Sequence, residues 1–316
     1  IIIIKYIHLI IMKPTLHSVL ASRNCHERDQ YIQFFEEDHK YVITNDPDNK
    51  YTSVTTWNHT HFPTFNANLI IKNMMKGKNW KEGHKYWGLT AEEIKKQWSN
   101  NSASVSSAGT ELHFEIECFM NSNVLLFDYT HYELFQQHKI LIKYDKRFSD
   151  LGIEWEYFIN FVSDFPKLKP YRTEWTVYDE DLKISGSIDM VYENPDGTLS
   201  IYDWKRSKEI TRINNFNKFA KNKLICEMPD ANFWHYALQL NTYKAILERK
   251  YGKIVTDLYL VRLHPDAEEK NYELIKLPNL SKEINDLFEE RKKEIDKEVN
   301  EEVIKEVDKE VINEIA

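Results

Sequence analysis

The chain has too little cysteine for a disulfide scaffold. Its 316 residues include only Cys25, Cys118 and Cys226, widely separated and with no CxxC pair. Such scattered thiols suit a reducing compartment, so an intracellular setting (cytoplasm, nucleus or viral factory) is expected rather than secretion. Eight glycines and nine prolines exclude collagen-like and Pro/Gly-rich disordered chains. Long hydrophobic runs are missing as well. The opening IIIIKYIHLIIM is interrupted by Lys5 and His8, falls short of the ~20 apolar residues a membrane span needs, and leads to no small-residue cleavage site. No membrane partner is expected. Translation is expected to begin naturally at Met12, with residues 1–11 an upstream segment.

What is present is an ordinary globular composition, 42% hydrophobic and 13% aromatic, which suffices for one large core or two small ones. The net charge of −8 argues against a nucleic-acid partner only until its distribution is considered. From Lys282 to Ala316 thirteen acidic residues oppose seven basic ones, leaving the rest of the chain close to neutral. Between Lys205 and Lys223 seven basic residues stand against the single Glu209, which permits a local basic face.

The pattern predicts a strand at Lys40–Thr44, a strand-prone Tyr51–Thr56, and two helices, one over Ala91–Trp98 entered through Thr90 and a second beginning at Gly109. Further helices are expected over Tyr132–Gln137 and Phe148–Val162. After Pro166 and Pro170 the period changes to two. Strands are expected over Tyr171–Tyr178, Leu182–Glu193 and Thr198–Lys205, then a helix over Phe233–Arg249 and a strand over Ile254–Arg262. The class is therefore α/β. The expected domains are an N-terminal α/β region (12–107), a core (108–280) and a charged helical tail (281–316). In the tail, Ile295, Val299, Val303, Val307, Val311 and Ile315 recur every four residues, a stripe that drifts around a helix rather than holding a coiled-coil seam. A solvated helix is expected there, with a protein partner for it as the alternative.

Asn194-Pro195-Asp196-Gly197 has the chemistry of a type I turn followed by a glycine bulge, which pairs Asn194 with Thr198. Continued along the ladder, that register sets Asp189 opposite Asp203, on one side of the sheet, with Cβ atoms ~5 Å apart. Both lie in otherwise apolar strands, Ile188-Asp189-Met190-Val191 and Ile201-Tyr202-Asp203-Trp204. Opposed carboxylates there require a proton or a cation. Lys205 falls on the face of Asp203 one pleat on. Two acidic groups and an ammonium suit a hard divalent ion with a water beside it, or else an ion cluster that Lys205 neutralises for structure alone.

Gly186-Ser-Ile-Asp189 followed by Asp203-Trp-Lys205 resembles the PD-(D/E)XK nuclease signature in its D-x-K form, with Glu174 upstream in Thr173-Glu-Trp. Gln239-Leu-Asn-Thr-Tyr243 resembles the Q-x-x-x-Y element of the RecB-type branch. Gly109-Thr-Glu-Leu-His113-Phe-Glu-Ile-Glu117 resembles that branch's histidine motif, including the form in mitochondrial genome maintenance exonucleases. The resemblance spans roughly residues 50–263. It implies a restriction-endonuclease-like core, a mixed central sheet flanked by helices, and a metal-dependent deoxyribonuclease acting on single strands or ends in replication, recombination or repair. Three scattered cysteines make that branch's four-cysteine iron–sulfur cluster implausible.

The implied roles follow the same residues. Asp189, Asp203 and Lys205 are catalytic. Mg²⁺ or Mn²⁺ is held by Asp189, Asp203, the Trp204 carbonyl and His113, with Glu174 or Glu117 as a further carboxylate. The imidazole favours Mn²⁺. Gln239 and Tyr243, four apart on one helix face, orient Lys205 or touch the nucleic-acid backbone, and Arg206, Ser207, Lys208 and Arg212 are expected phosphate contacts. Trp175, Trp204, Trp234 and Tyr236 are assigned no role beyond the core. The alternative is a non-cleaving nucleic-acid-binding accessory on the same fold, disfavoured because Asp189, Asp203 and Lys205 are all present.

Overall fold

The computed structural model describes residues 19–35, 37–38, 40–123, 128–144 and 151–297. Strand β4 (Lys169–Asp179), β5 (Ile184–Glu193) and β6 (Leu199–Lys205) are three consecutive antiparallel strands. Helix α7 (Asn232–Lys250) then crosses back so that β7 (Val255–Arg262) lies parallel to β6, and β8 (Glu273–Lys276) closes that edge. The elements preceding them are α1 (Val19–Arg23), a hairpin of β1 (Ile32–Phe35) and β2 (Lys40–Ile43), the two-residue β3 (Thr52–Ser53), α2 (Val54–His59), α3 (Ala67–Lys76), α4 (Ala91–Met120), α5 (His131–Tyr144) and α6 (Ile153–Asp164).

The turn behaves as its residues dictate. Gly197 N–H donates to Asn194 O at 2.9 Å, Asn194 N–H to Thr198 O at 2.8 Å, and Gly197 takes φ +81°. The register expected from it holds along the ladder, with Glu193 opposite Leu199 and Met190 opposite Tyr202. There the ladder ends, one pair short of Asp189 and Asp203. Beyond it, β3 pairs in parallel with Ile184 and Ser185 of β5. β5 therefore has β6 beside one end of this edge and β3 beside the other, and Gly186–Asp189 lie in the gap between them.

Side chains from the sheet fill two cores. Met190, Tyr192, Tyr202 and Trp204 pack with Leu112, Ile116 and Phe119 of α4 and Phe158 and Phe161 of α6. Ile188, Val191, Leu199 and Ile201 face α2 and α7 instead. The result is a mixed sheet between helical layers, the expected restriction-endonuclease-like class.

Several sequence expectations are corrected. The two helices expected at Ala91–Trp98 and from Gly109 are one thirty-residue helix, so the expected boundary at 107/108 falls within α4. Thr90 and Glu93 start it with a reciprocal capping box. Tyr51–Thr56 is strand only at Thr52–Ser53, because Ser53 accepts the Thr56 N–H and caps α2. The tail is not solvated throughout. Residues 281–297 form a helix, α8, that buries Ile284, Leu287 and Phe288 in the core beside α2 and α7. Val299 to Ile315 of the apolar stripe lie outside the described residues, as do Met12 and residues 1–11. No helix among the described residues is long and apolar enough to cross a membrane.

Candidate active site

The gap beside β5 collects the polar groups. Asp189 Oδ2 accepts the main-chain N–H of Trp204 at 3.0 Å, so the carboxylate occupies the place where the next ladder bond would be. His113, carried by α4, brings Nδ1 to 3.5 Å from Asp189 Oδ2 and 3.9 Å from Glu174 Oε1. Ladder partners on either side set Glu174 of β4 across from Asp189. Glu174 holds φ +41°, a left-handed conformation costing a non-glycine residue about 1–3 kcal/mol, and Ser187 Oγ donates to its Oε2 at 2.8 Å. One ligand atom from each of His113, Glu174 and Asp189 lies within 4.8 Å of the others, an imidazole and two carboxylates suited to a divalent ion.

Asp203 is turned differently. Its Oδ2 forms an ion pair with Lys205 Nζ at 2.5 Å, without a well-directed hydrogen bond. The ammonium also lies 4.7 Å from the ring centroid of Tyr236 on α7. The carboxylate cluster thus contains Glu174, with Asp203 beside it holding Lys205. The Trp204 carbonyl, expected as a ligand, accepts His113 Nε2–H at 2.9 Å.

Electrostatics point the same way. Burial and the Asp189 charge push Asp203 up to about 6, against the pull of Lys205. Burial also raises Asp189, opposed by His113 and Lys205 and reinforced by Glu174. Glu117, one helical turn from His113, is raised to about 7 by burial and by Glu174. For His113, burial would lower the pKa, but Asp189 and Glu174 outweigh it and hold it at about 9. Lys205 is likewise raised despite burial, by Asp203, Asp189 and Tyr236, and therefore stays an ammonium. Buried carboxyls raised by one another form a site that a cation relieves.

A family model described as the PD-(D/E)XK nuclease superfamily matches residues 130–313. The chain belongs to the PD-(D/E)XK nuclease superfamily. It is a nuclease by family, and PD-(D/E)XK nucleases use divalent metal ions, which the donor set of His113, Glu174 and Asp189 fits. The match takes in Asp189, Asp203 and Lys205, while His113 precedes it. No curated protein matches the chain.

The expected nucleic-acid contacts fall into two groups. Lys208 and Arg212 are exposed, whereas Arg206 is tied to Glu154 of α6 at 2.9 Å and Ser207 Oγ donates to the Glu209 carbonyl. Gln239 is half-buried near Lys205. Tyr243 is a correction. It is 4% exposed, packed against Gly186 in the core, and offers no surface to a phosphate. Trp175 and Trp204 are buried in the two cores, as expected.

Sequence reasoning missed Tyr41 of β2, whose hydroxyl is pushed up to about 12 by burial and by the charges of Glu174 and Asp189. It also missed Ser187 as a partner of Glu174. No local motif marks Tyr41, and Ser187, although inside Gly186-Ser-Ile-Asp189, reaches Glu174 only through the pairing of β4 with β5.

Proposed function

We propose that this nuclease hydrolyses DNA as an exonuclease on single strands or free ends, in replication, recombination or repair. The observation that carries the reading is the convergence of His113, Glu174 and Asp189 next to the Asp203–Lys205 pair. Asp189, Asp203 and Lys205 are the catalytic residues. His113, Asp189 and Glu174 hold Mg²⁺ or Mn²⁺, with Asp203 and Glu117 adjacent. When bound, the ion supplies charge neutralisation at the phosphate and a more acidic water. The imidazole donor favours Mn²⁺. Placement in the RecB-type branch, near mitochondrial genome maintenance exonucleases, is supported by Gly109-Thr-Glu-Leu-His113 and by Gln239 and Tyr243 four residues apart on α7.

Hydrolysis adds a water oxygen to phosphorus and breaks the bond from phosphorus to the departing oxygen. Lys205, held charged by Asp203, donates to a phosphate oxygen and stabilises the charge that builds there. Asp203 keeps that ammonium close to the site by its charge. Tyr243 seals the sheet beneath Gly186 and acts only as a positioning residue. Lys208, Arg212, Lys218, Lys221 and Lys223, exposed on the segment after β6, form the docking surface for the backbone. The experiment is digestion of linear, end-blocked and circular DNA, and of RNA, with Mg²⁺, Mn²⁺ or EDTA. Metal-dependent loss of linear DNA alone supports the reading. Cutting of circles makes the enzyme an endonuclease, and no product from any substrate leaves the non-cleaving accessory.

A further inference from the structure

We propose that the cavity on the α7 side of Lys205 is the subsite for one unpaired nucleotide, the neighbour of the scissile phosphate; this rests on the nuclease reading above. The cavity measures about 420 Å³ and is lined by Asn58 and His59 of α2, Lys205, and Asp230, His235 and Gln239 at and along α7. That volume falls within the ~300–1,000 Å³ of small-ligand pockets, enough for one nucleotide and too little for a base pair with its backbones. Lys205 belongs both to this cavity and to the carboxylate site. A phosphate held by Lys205 therefore places its neighbouring nucleotide at the cavity mouth.

The lining is built for a flat, polar guest. His235 is locked on three sides: Nε2 lies 2.9 Å from Asp230 Oδ1, the ring stacks on Phe62 at 3.9 Å between centroids, and His59 meets it edge-on at 5.3 Å. Asp230 thereby fixes the ring beside the cavity that His235 lines. Asn58 is 1% exposed and its Nδ2 has no hydrogen-bond partner among the described residues, while its Oδ1 accepts from the Thr242 hydroxyl at 3.4 Å. A buried amide donor without an acceptor is costly, and a base carbonyl or phosphate oxygen would satisfy it. Aromatic rings beside an unpaired amide donor match a nucleobase better than an apolar ligand.

The test uses metal-free protein, which cannot cleave, and fluorescence anisotropy with a labelled short oligothymidylate and a labelled blunt duplex. His59→Ala and His235→Ala are each expected to weaken oligothymidylate binding about tenfold and duplex binding much less. His59 is exposed, so its replacement leaves the fold intact, and thermal melting checks both variants. With metal restored, both variants should raise KM more than they lower kcat. Wild-type affinity for oligothymidylate in both variants overturns the subsite, even where the wild type cleaves DNA. Equal weakening for single strand and duplex overturns its restriction to an unpaired nucleotide. A wild-type protein that neither binds nor cleaves any nucleic acid removes the nuclease reading, and the subsite with it.

Discussion

His113 Nε2 lies 2.9 Å from the main-chain oxygen of Trp204. A carbonyl oxygen only accepts, so Nε2 carries a proton and Nδ1 is the ring atom turned to Asp189 and Glu174. A strand end thus fixes the orientation of a helix-borne imidazole and leaves Nδ1 as the nitrogen that would exchange its proton for a metal ion, as outer partners of metal-binding histidines do.

Replacing that ring should weaken metal uptake. His113→Gln is expected to lower Mn²⁺ affinity about 10–100-fold, with a smaller loss for Mg²⁺, which relies less on nitrogen donors. Isothermal titration of each ion into wild type and variant measures this directly. Unchanged Mn²⁺ affinity would remove His113 from the ligand set.

The Lys205–Asp203 pair predicts separate effects on rate and stability. Lys205→Ala should cut turnover about 10²–10³-fold, the range for losing one preorganised donor to a transition-state oxyanion. Stability should fall as well, because Asp203 is 3% exposed at its side chain and loses its counter-charge. Lys205→Ala/Asp203→Asn should recover melting temperature without recovering cleavage. Cleavage by the single variant at the wild-type rate would exclude Lys205 from the chemistry.

How much of this was legible in the sequence follows from how local each cause is. Asn194 to Gly197 specify their own turn, and the turn specifies the register as far as Met190 and Tyr202, so the neighbourhood of Asp189 and Asp203 could be read directly. The serine-rich stretch before Gly109 has weak helix propensity and reads as a break. Capping at Thr90 and packing of Leu112, Ile116 and Phe119 carry α4 through it. Glu174 was a secondary candidate because a positive φ in mid-strand leaves no mark in composition. Tyr41, Asn58 and His235 reach the site region from three separate segments, which no spacing rule connects. In the tail, the period-four stripe begins only at Ile295, whereas Ile284, Leu287 and Phe288 before it have the three- and four-residue spacing that turns one face of α8 to the core.

Gly186 should not tolerate a side chain. A Cβ there would stand 2.8 Å from the ring and the hydroxyl of Tyr243, which is buried and cannot swing away. Gly186→Ala is expected to destabilise the protein by about 1–3 kcal/mol, the usual cost of overpacking. Tyr243→Leu in the same background should return part of that loss by clearing the ring. Denaturant melts of the two variants decide it, and a Gly186→Ala protein as stable as wild type would contradict the close approach.

Acid should uncover the buried histidines. Burial lowers His61 and His138 to about 4 and His131 to about 3, all below the ~6.5 of an exposed imidazole. These rings are neutral in the fold, so between pH ~6.5 and ~4 the unfolded chain binds more protons and stability drops as pH falls. The raised carboxyls Glu115 and Glu117, both at about 7, act in the opposite sense, because the folded state holds their protons longer. The wild-type curve is therefore a sum of opposing slopes, and the informative quantity is a difference between proteins. His138 has ring contacts with Phe119 and Trp155, so His138→Phe keeps an aromatic in place while deleting the titration. Relative to wild type, this variant should gain up to ~1.4 kcal/mol for each pH unit of acidification within that window, read from urea melts at pH 7, 6 and 5. A difference that stays constant with pH would mean that His138 is as easily protonated in the fold as in the open chain.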